Sequence, residues 1–440
     1  MKKSILSLTS AFLVAFSLNA QKVEFEEYDL NNGMHVILHQ DDSAPIVTVG
    51  VMYHVGAKDE VDGKTGMAHF YEHLLFTGTK NIERSKWNEI TSARGGAGNA
   101  NTNWDRTYYY QTFPSNELKL ALWMESERLL HPIIDQKAVD TQNEVVKEEK
   151  RQRMDNAPYG KVIYGDVYSH LFEKHKYGRP MIGYIKDLDA AKLEEFQAFY
   201  NKWYMPNNAV LVVAGNFEKG NAKSLINDYF ASIPARTKPN RIKITEPERT
   251  VEKRVTEYDS NIQIPLIGLA YKTPSMRERD AKVLDVISTV LSNGKSSRLY
   301  KKLVDDKKKA LQAFSFARPL EDYSVYIIGA MPLGKTPLDD LIKEMDEEIV
   351  KLQTELISDE DLQKVRNKFE NQFVASNSNV TGIANSLARN YMLAGDTNRI
   401  NTELEIINSI TKEEIREVAK KYLAKNRRVV LDYLPASKKK

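Results

Sequence analysis

IVTVGVMY, residues 46–53, returns 218 residues later as IPLIGLAY, residues 264–271, with Gly50 answered by Gly268. Both runs are apolar and rich in β-branched side chains, the composition of a buried strand. A second match lays LEEFQAFYNKWYMPNNAVLV (193–212) over KEEIREVAKKYLAKNRRVVL (412–431) at an offset of 219. It covers a helical pattern followed by a strand. Two matches on different element types at nearly one offset make the chain two related halves. Each half opens on strands and goes on to helices. The fold class is therefore α+β: two homologous domains, each a mainly antiparallel sheet with helices packed on it.

Between the halves, PARTKPNRIKITEPERT (234–250) carries Pro234, Pro239 and Pro247 among polar residues and reads as a linker. The first domain is expected over 21–233 and the second over 251–440. Residues 1–20 read as an export leader: Lys2 and Lys3 precede an apolar run, Ile5 to Leu18, too short to span a bilayer comfortably, with cleavage after Ala20. An exported chain, periplasmic or secreted in a bacterium, with no stable membrane span once the leader is removed, is the expectation. The chain has no cysteine, so disulfides and lipid attachment through a thiol are excluded. Its 63 basic and 60 acidic residues nearly cancel, giving a formal charge of +3. That balance gives no support to nucleic-acid binding, which calls for a concentrated basic face.

The repeat isolates one piece of chemistry. Within GMAHFYEHLLFTGT (66–79), His69 and His73 are four apart and share one face of a helix, with Glu72 within reach of it. Two imidazoles and a carboxylate in this order suit a zinc ion and a general base. The plainer reading is two surface histidines on an amphipathic helix. Met67 and Ala68 before the motif and Leu74 to Phe76 after it argue for a buried helix, where unpaired His and Glu are costly. Carried forward by 218, positions 69, 72 and 73 land on Ile287, Val290 and Leu291, so the second half keeps the helix without the ligands. A catalytic zinc needs a third protein ligand. His131, His170 and His175 are scattered, while a polar helix from about Val139 to Met154 offers Glu144, Glu148 and Glu149. Spacing does not choose among them. His35 and His39 alternate with apolar neighbours and are expected to face solvent, and His54 is a candidate for a supporting contact.

GMAHFYEHLLFTGT, GGAGNANTNWDRTYYY, NEVVKEEKRQR and WYMPNNAVLVVAGNF together resemble the insulinase/pitrilysin family of zinc peptidases, in the short two-domain branch that includes the mitochondrial processing peptidases. The resemblance spans nearly the whole chain after the leader. It implies one Zn2+ per chain on His69, His73 and Glu149, with Glu72 as general base toward a zinc-activated water. The family's supporting acid, seven residues before the third ligand, is Gln142 here. The resemblance also makes Gly98 to Thr102, with Asn99, Ala100 and Asn101 at its centre, an edge strand to which an extended peptide substrate adds as a further strand.

In one place this sequence departs from the family. An Arg and a Tyr that follow an S-S-R-L stretch in many second domains fall near Val304 and Ala313 here, beyond Ser296–Leu299. The family encloses its substrates in a chamber of four such domains. A heterodimer with a homologous chain that supplies the Arg/Tyr pair is expected, with a homodimer as the alternative. The competing functional reading is a non-catalytic peptide-binding or scaffold subunit of the same family.

Overall fold

The computed structural model describes residues 22–439; the expected leader lies outside them. Eleven strands form two sheets among the described residues. The first half contributes β1 (Glu26–Asp29), β2 (His35–Gln40), β3 (Ile46–Tyr53), β4 (Ala97–Thr102), β5 (Thr107–Pro114) and β6 (Ala209–Gly215). The second contributes β7 (Lys253–Asp259), β8 (Leu266–Thr273), β9 (Ala310–Arg318), β10 (Ser324–Pro332) and β11 (Arg428–Pro435). The sheet orders are β1-β2-β6-β3-β5-β4 and β7-β11-β8-β10-β9. In each, one pair is parallel, β2 with β6 and β7 with β11, and the rest are antiparallel. The two sheets are thus one plan used twice, with β1 added to the first.

Register carries the repeat to single residues. Gly50 faces Val212 on β6, and Gly268 faces Leu431 on β11, so strands and partners repeat at the offsets read from the sequence. The two glycines nevertheless have different reasons. A Cβ at Gly50 would lie 2.4 Å from the hydroxyl of Tyr108 and 2.7 Å from its ring, whereas at Gly268 the nearest atom is 3.9 Å away.

Every residue of β6 is buried, as a central strand covered on both faces requires. Helices of the first half cover the front, where Phe70, Leu74, Phe196 and Leu211 share a core. The back is covered by a helix of the second half, Val380–Arg389, whose Ile383, Ala384 and Leu387 pack on Ile37, Met52 and Val212. The same exchange occurs in reverse. The helical stretch 162–171 of the first half places Val162, Val167 and Leu171 on Leu266, Val325 and Leu431 of the second sheet. These two stretches are themselves a repeat pair at an offset of 218. Helices were expected on their own sheets; instead each half braces the other.

That exchange corrects the reading of two histidines. His35 and His39 do not face solvent: they are 8% and 7% exposed. His35 stacks on Tyr391 of the second half at 3.6 Å between centroids, and His39 Nδ1 lies 2.6 Å from the carbonyl of Glu24. Alternation along β2 marks two covered faces rather than one wet face. Among the described residues, no helix is long and apolar enough to cross a membrane.

A polar cluster also joins the halves. Lys58 pairs with Asp105 at 2.9 Å, Glu321 at 2.7 Å and Asp322 at 2.9 Å, and His54 Nε2 lies 2.7 Å from Glu321. Burial works to raise the Glu321 carboxyl, but His54 and Lys58 outweigh it and hold the group at about 2.

Candidate metal centre

The motif helix, Met67–Leu74, is fixed at both ends by buried ionisable side chains. Gly66, at φ 90°, makes the turn into it. The two oxygens of the Glu60 side chain accept the N–H groups of Gly66 (2.8 Å) and Ala68 (2.9 Å), which satisfies free donors at the start of the helix. Glu60 is wholly buried, and that burial pushes its carboxyl up to about 8 against the two hydrogen bonds. Just past the other end, Arg128 donates to the carbonyl of Leu75 at 2.7 Å, pairs with Glu125, and lies over the rings of Phe76, Trp87 and Tyr109. Tyr109 donates to the carbonyl of Tyr71 in mid-helix at 2.7 Å. Sequence reasoning missed Glu60, Glu125 and Arg128. The available signal for the last two was an oppositely charged pair three apart, Glu125 and Arg128, in the helix Leu118–Leu130.

The acidic helix, Gln136–Lys150, packs across the motif helix and turns one of its three candidate acids inward. Glu149 Oε2 lies 2.9 Å from His73 Nε2 and 3.6 Å from His69 Nε2. Its other oxygen pairs with Arg153 at 2.7 Å. Glu144 is bound to Lys147 and Glu148 to Arg151, both on the outer face. His54 is held by Glu321, His131 by Glu127, His170 by Glu257 and His175 by Asp322, so none of them joins the group. Among the described residues, His69, His73 and Glu149 form the one cluster with metal-ligand geometry, their donor atoms all within 4.8 Å of one another.

The group fits a zinc ion. His73 Nε2 is near Glu149 but out of line for a hydrogen bond, and it is buried without a partner, as is His69 Nδ1. Buried ring nitrogens are normally paired, so the cluster is incomplete as a purely protein network. Two imidazoles and one carboxylate match the ligand chemistry of zinc and leave an open fourth position. Burial works to raise the Glu149 carboxyl, but the imidazoles outweigh it, leaving it well below the usual range and anionic.

A cleft of about 690 Å³ opens beside the cluster, lined by Glu72, His73, Gly98, Asn99, Ala100 and Gln142 among others. β4 forms one wall. It pairs with β5 alone, so its outer edge is free. The N–H of Ala100 meets the Asn99 side chain at 2.8 Å. The structure does not bring Asn101 to this cleft: its carbonyl and side-chain oxygens are both taken by Arg106.

In the second half the equivalent helix is Arg279–Ser292, and Ile287, Val290 and Leu291 are buried core residues. Val304 packs at the margin of the same core and Ala313 lies within it, so neither offers a polar group. Arg298 is bound to Asp361 at 3.3 Å.

Known proteins align with both halves. Residues 35–184 match the family model described as insulinase (peptidase family M16), and residues 190–369 match the one described as the peptidase M16 inactive domain. Zinc protease PqqE of Helicobacter pylori is 29% identical over 392 residues, covering 87% of this chain and 88% of that protein. The crystal structure of a protease from Helicobacter pylori superposes with a TM-score of 0.88 at 27% identity, over 93% of this chain and 99% of that one. The periplasmic protease PqqL from Escherichia coli shares the fold, with a TM-score of 0.78 at 18% identity over 94% of this chain but 48% of its own. The chain belongs to the insulinase (M16) family of zinc metallopeptidases, in its short two-domain form.

Proposed function

We propose that this chain is the catalytic half of an exported zinc endopeptidase that cleaves extended peptides, with zinc, one ion per chain, on His69, His73 and Glu149. The observation that carries the reading is the convergence of these three side chains beside a cleft that also holds Glu72 and a free strand edge. Bound there, Zn2+ supplies a Lewis acid that polarises a carbonyl and makes water more acidic. Glu72 takes a proton onto its carboxylate as general base and returns it to the leaving amine. β4 holds the substrate main chain as an added strand, after Asn99 releases the N–H of Ala100. Gln142, two turns before Glu149, acts as a neutral hydrogen-bonding support.

The apolar Val304 and Ala313 support a partner chain that brings the carbonyl-binding Arg and Tyr. PqqL is about twice this chain's length, in keeping with a four-domain assembly built here from two chains. Glu72→Gln is expected to retain zinc by metal analysis and to lose hydrolysis of a quenched peptide by about 10²- to 10⁴-fold. Turnover that survives the substitution refutes the assignment. Mass spectrometry of the native N-terminus tests export, for which an intact Met1 is the adverse result. Full activity of the isolated chain, unchanged by any homologous partner, counts against the heterodimer.

A further inference from the structure

Of the three zinc-ligand side chains, two are fixed by their own helix and one is not. His69 and His73 sit within Met67–Leu74, whose ends are held, but Glu149 is the last residue but one of Gln136–Lys150. Helix ends fray, so a ligand placed there needs support from outside its own helix. The chain after Glu149 supplies it. Instead of stopping, the helix widens into one π-turn, Arg151–Asp155, a device often found at functional sites. This turn carries Arg153, four residues on from Glu149. Its Nη1 lies 2.7 Å from Glu149 Oε1, which leaves Oε2 as the oxygen turned to His69 and His73.

The π-turn is itself held from the second half. Asn261, in the turn between β7 and β8, donates from Nδ2 to the carbonyl of Asp155 at 2.7 Å. Lys150 closes the same turn within the first half, with Nζ 2.9 Å from both oxygens of the Asp155 carboxylate. Tyr159 has φ 61°, uncommon for a residue with a side chain. Such a conformation persists where the surroundings fix it. Here the Tyr159 hydroxyl donates to the carbonyl of Ile264 at 2.8 Å, and its ring lies 6.2 Å from that of Tyr433, both in the second half. Gly160 follows and lies directly against the π-turn. A Cβ there would stand 2.4 Å from the carbonyl oxygen of Arg153 and 2.8 Å from that of Met154. Asn261 thus ties the end of the turn, and Tyr159 sets the glycine that packs on its backbone.

We propose that Arg153 is a positioning residue for the zinc ligand Glu149, and that Asn261 and Tyr159 set its place, so that the half without metal ligands governs how tightly the other half holds its metal. The inference rests on the zinc reading above and adds to it a role for the second half at the metal centre. Groups that hold a metal ligand from behind orient its donor atom, and their loss lowers metal affinity by about 10- to 100-fold.

The test measures zinc affinity rather than turnover. Full-length protein is stripped of metal and titrated with Zn2+ against a chromophoric chelator, at a temperature where circular dichroism shows the zinc-free variants folded. Under that condition a loss of stability alone leaves the affinity unchanged. Arg153 is 67% exposed, so its substitution leaves the core intact. Arg153→Gln is expected to weaken zinc binding by about tenfold or more, while Arg153→Lys, which keeps a cationic donor, stays within about threefold of wild type. Asn261→Ala and Tyr159→Phe each delete one hydrogen bond of the tether and are expected to weaken zinc binding by about three- to tenfold. Wild-type affinity in Arg153→Gln, no rescue by lysine, or unchanged affinity in Asn261→Ala or in Tyr159→Phe overturns the proposal. Wild-type protein that takes up no zinc, or Glu149→Gln that binds it as tightly as wild type, would instead overturn the metal centre itself, so the two failures are distinguishable.

Discussion

Glu321→Gln removes a charge on which the junction of the halves depends, and the structure sets the size of the effect. The carboxyl falls from 4.5 to about 2 on folding because His54 and Lys58 outweigh its burial. A group shifted down in this way stabilises the fold above its unfolded pKa, and the contribution fades as pH falls toward the folded value. The full contribution is at most about 3 kcal/mol at neutral pH, and about 1.4 kcal/mol remains at pH 3. Urea denaturation of wild type and variant, both zinc-free so that metal binding does not enter the difference, measures it directly. The stability gap should stay flat from pH 8 to about 5.5 and then close as the pH drops to 3. A gap that is already absent at pH 7, or one that stays the same at pH 3, would refute the account of this cluster.

Two other substitutions probe the fold and the centre. Gly50→Ala should destabilise by about 1–3 kcal/mol, because Tyr108 must leave its packed position; Gly268→Ala should be neutral or slightly stabilising, and equal melting temperatures for the two variants would contradict this. Glu149→Gln removes an anionic ligand and should weaken zinc binding by at least tenfold in a chelator competition, with the secondary structure unchanged by circular dichroism.

The two-sheet plan was readable because duplication wrote it twice: Gly50 and Gly268, and the helix–strand pair after residues 193 and 412, repeat at a fixed spacing. The motif helix was readable because His69, Glu72 and His73 are local. Glu149 was not readable from spacing, since Glu144, Glu148 and Glu149 share one helix, and only its rotation against the motif helix leaves Glu149 14% exposed and Glu148 54%. The exchanged helices were missed for a related reason. An amphipathic pattern over 380–389 says that a face is buried, but not under which sheet. His35 was misread as a direct result, because the Tyr391 ring that covers it comes from the other half of the chain. Arg128, which holds one end of the motif helix, meets it only through a tertiary contact, whereas Glu60 at the other end is a near neighbour in the chain whose acceptor role no residue pattern announced.

The exchange between halves also sets a timetable for synthesis. β6 completes the first sheet at Gly215, but the helix that covers its back ends at Arg389, 174 residues later. At roughly 5–20 residues per second, that leaves an apolar sheet face bare for about 10–35 s on a nascent chain. The first half therefore cannot finish folding as it emerges. A chain cut anywhere before residue 380 leaves the ribosome with that sheet still uncovered on one side.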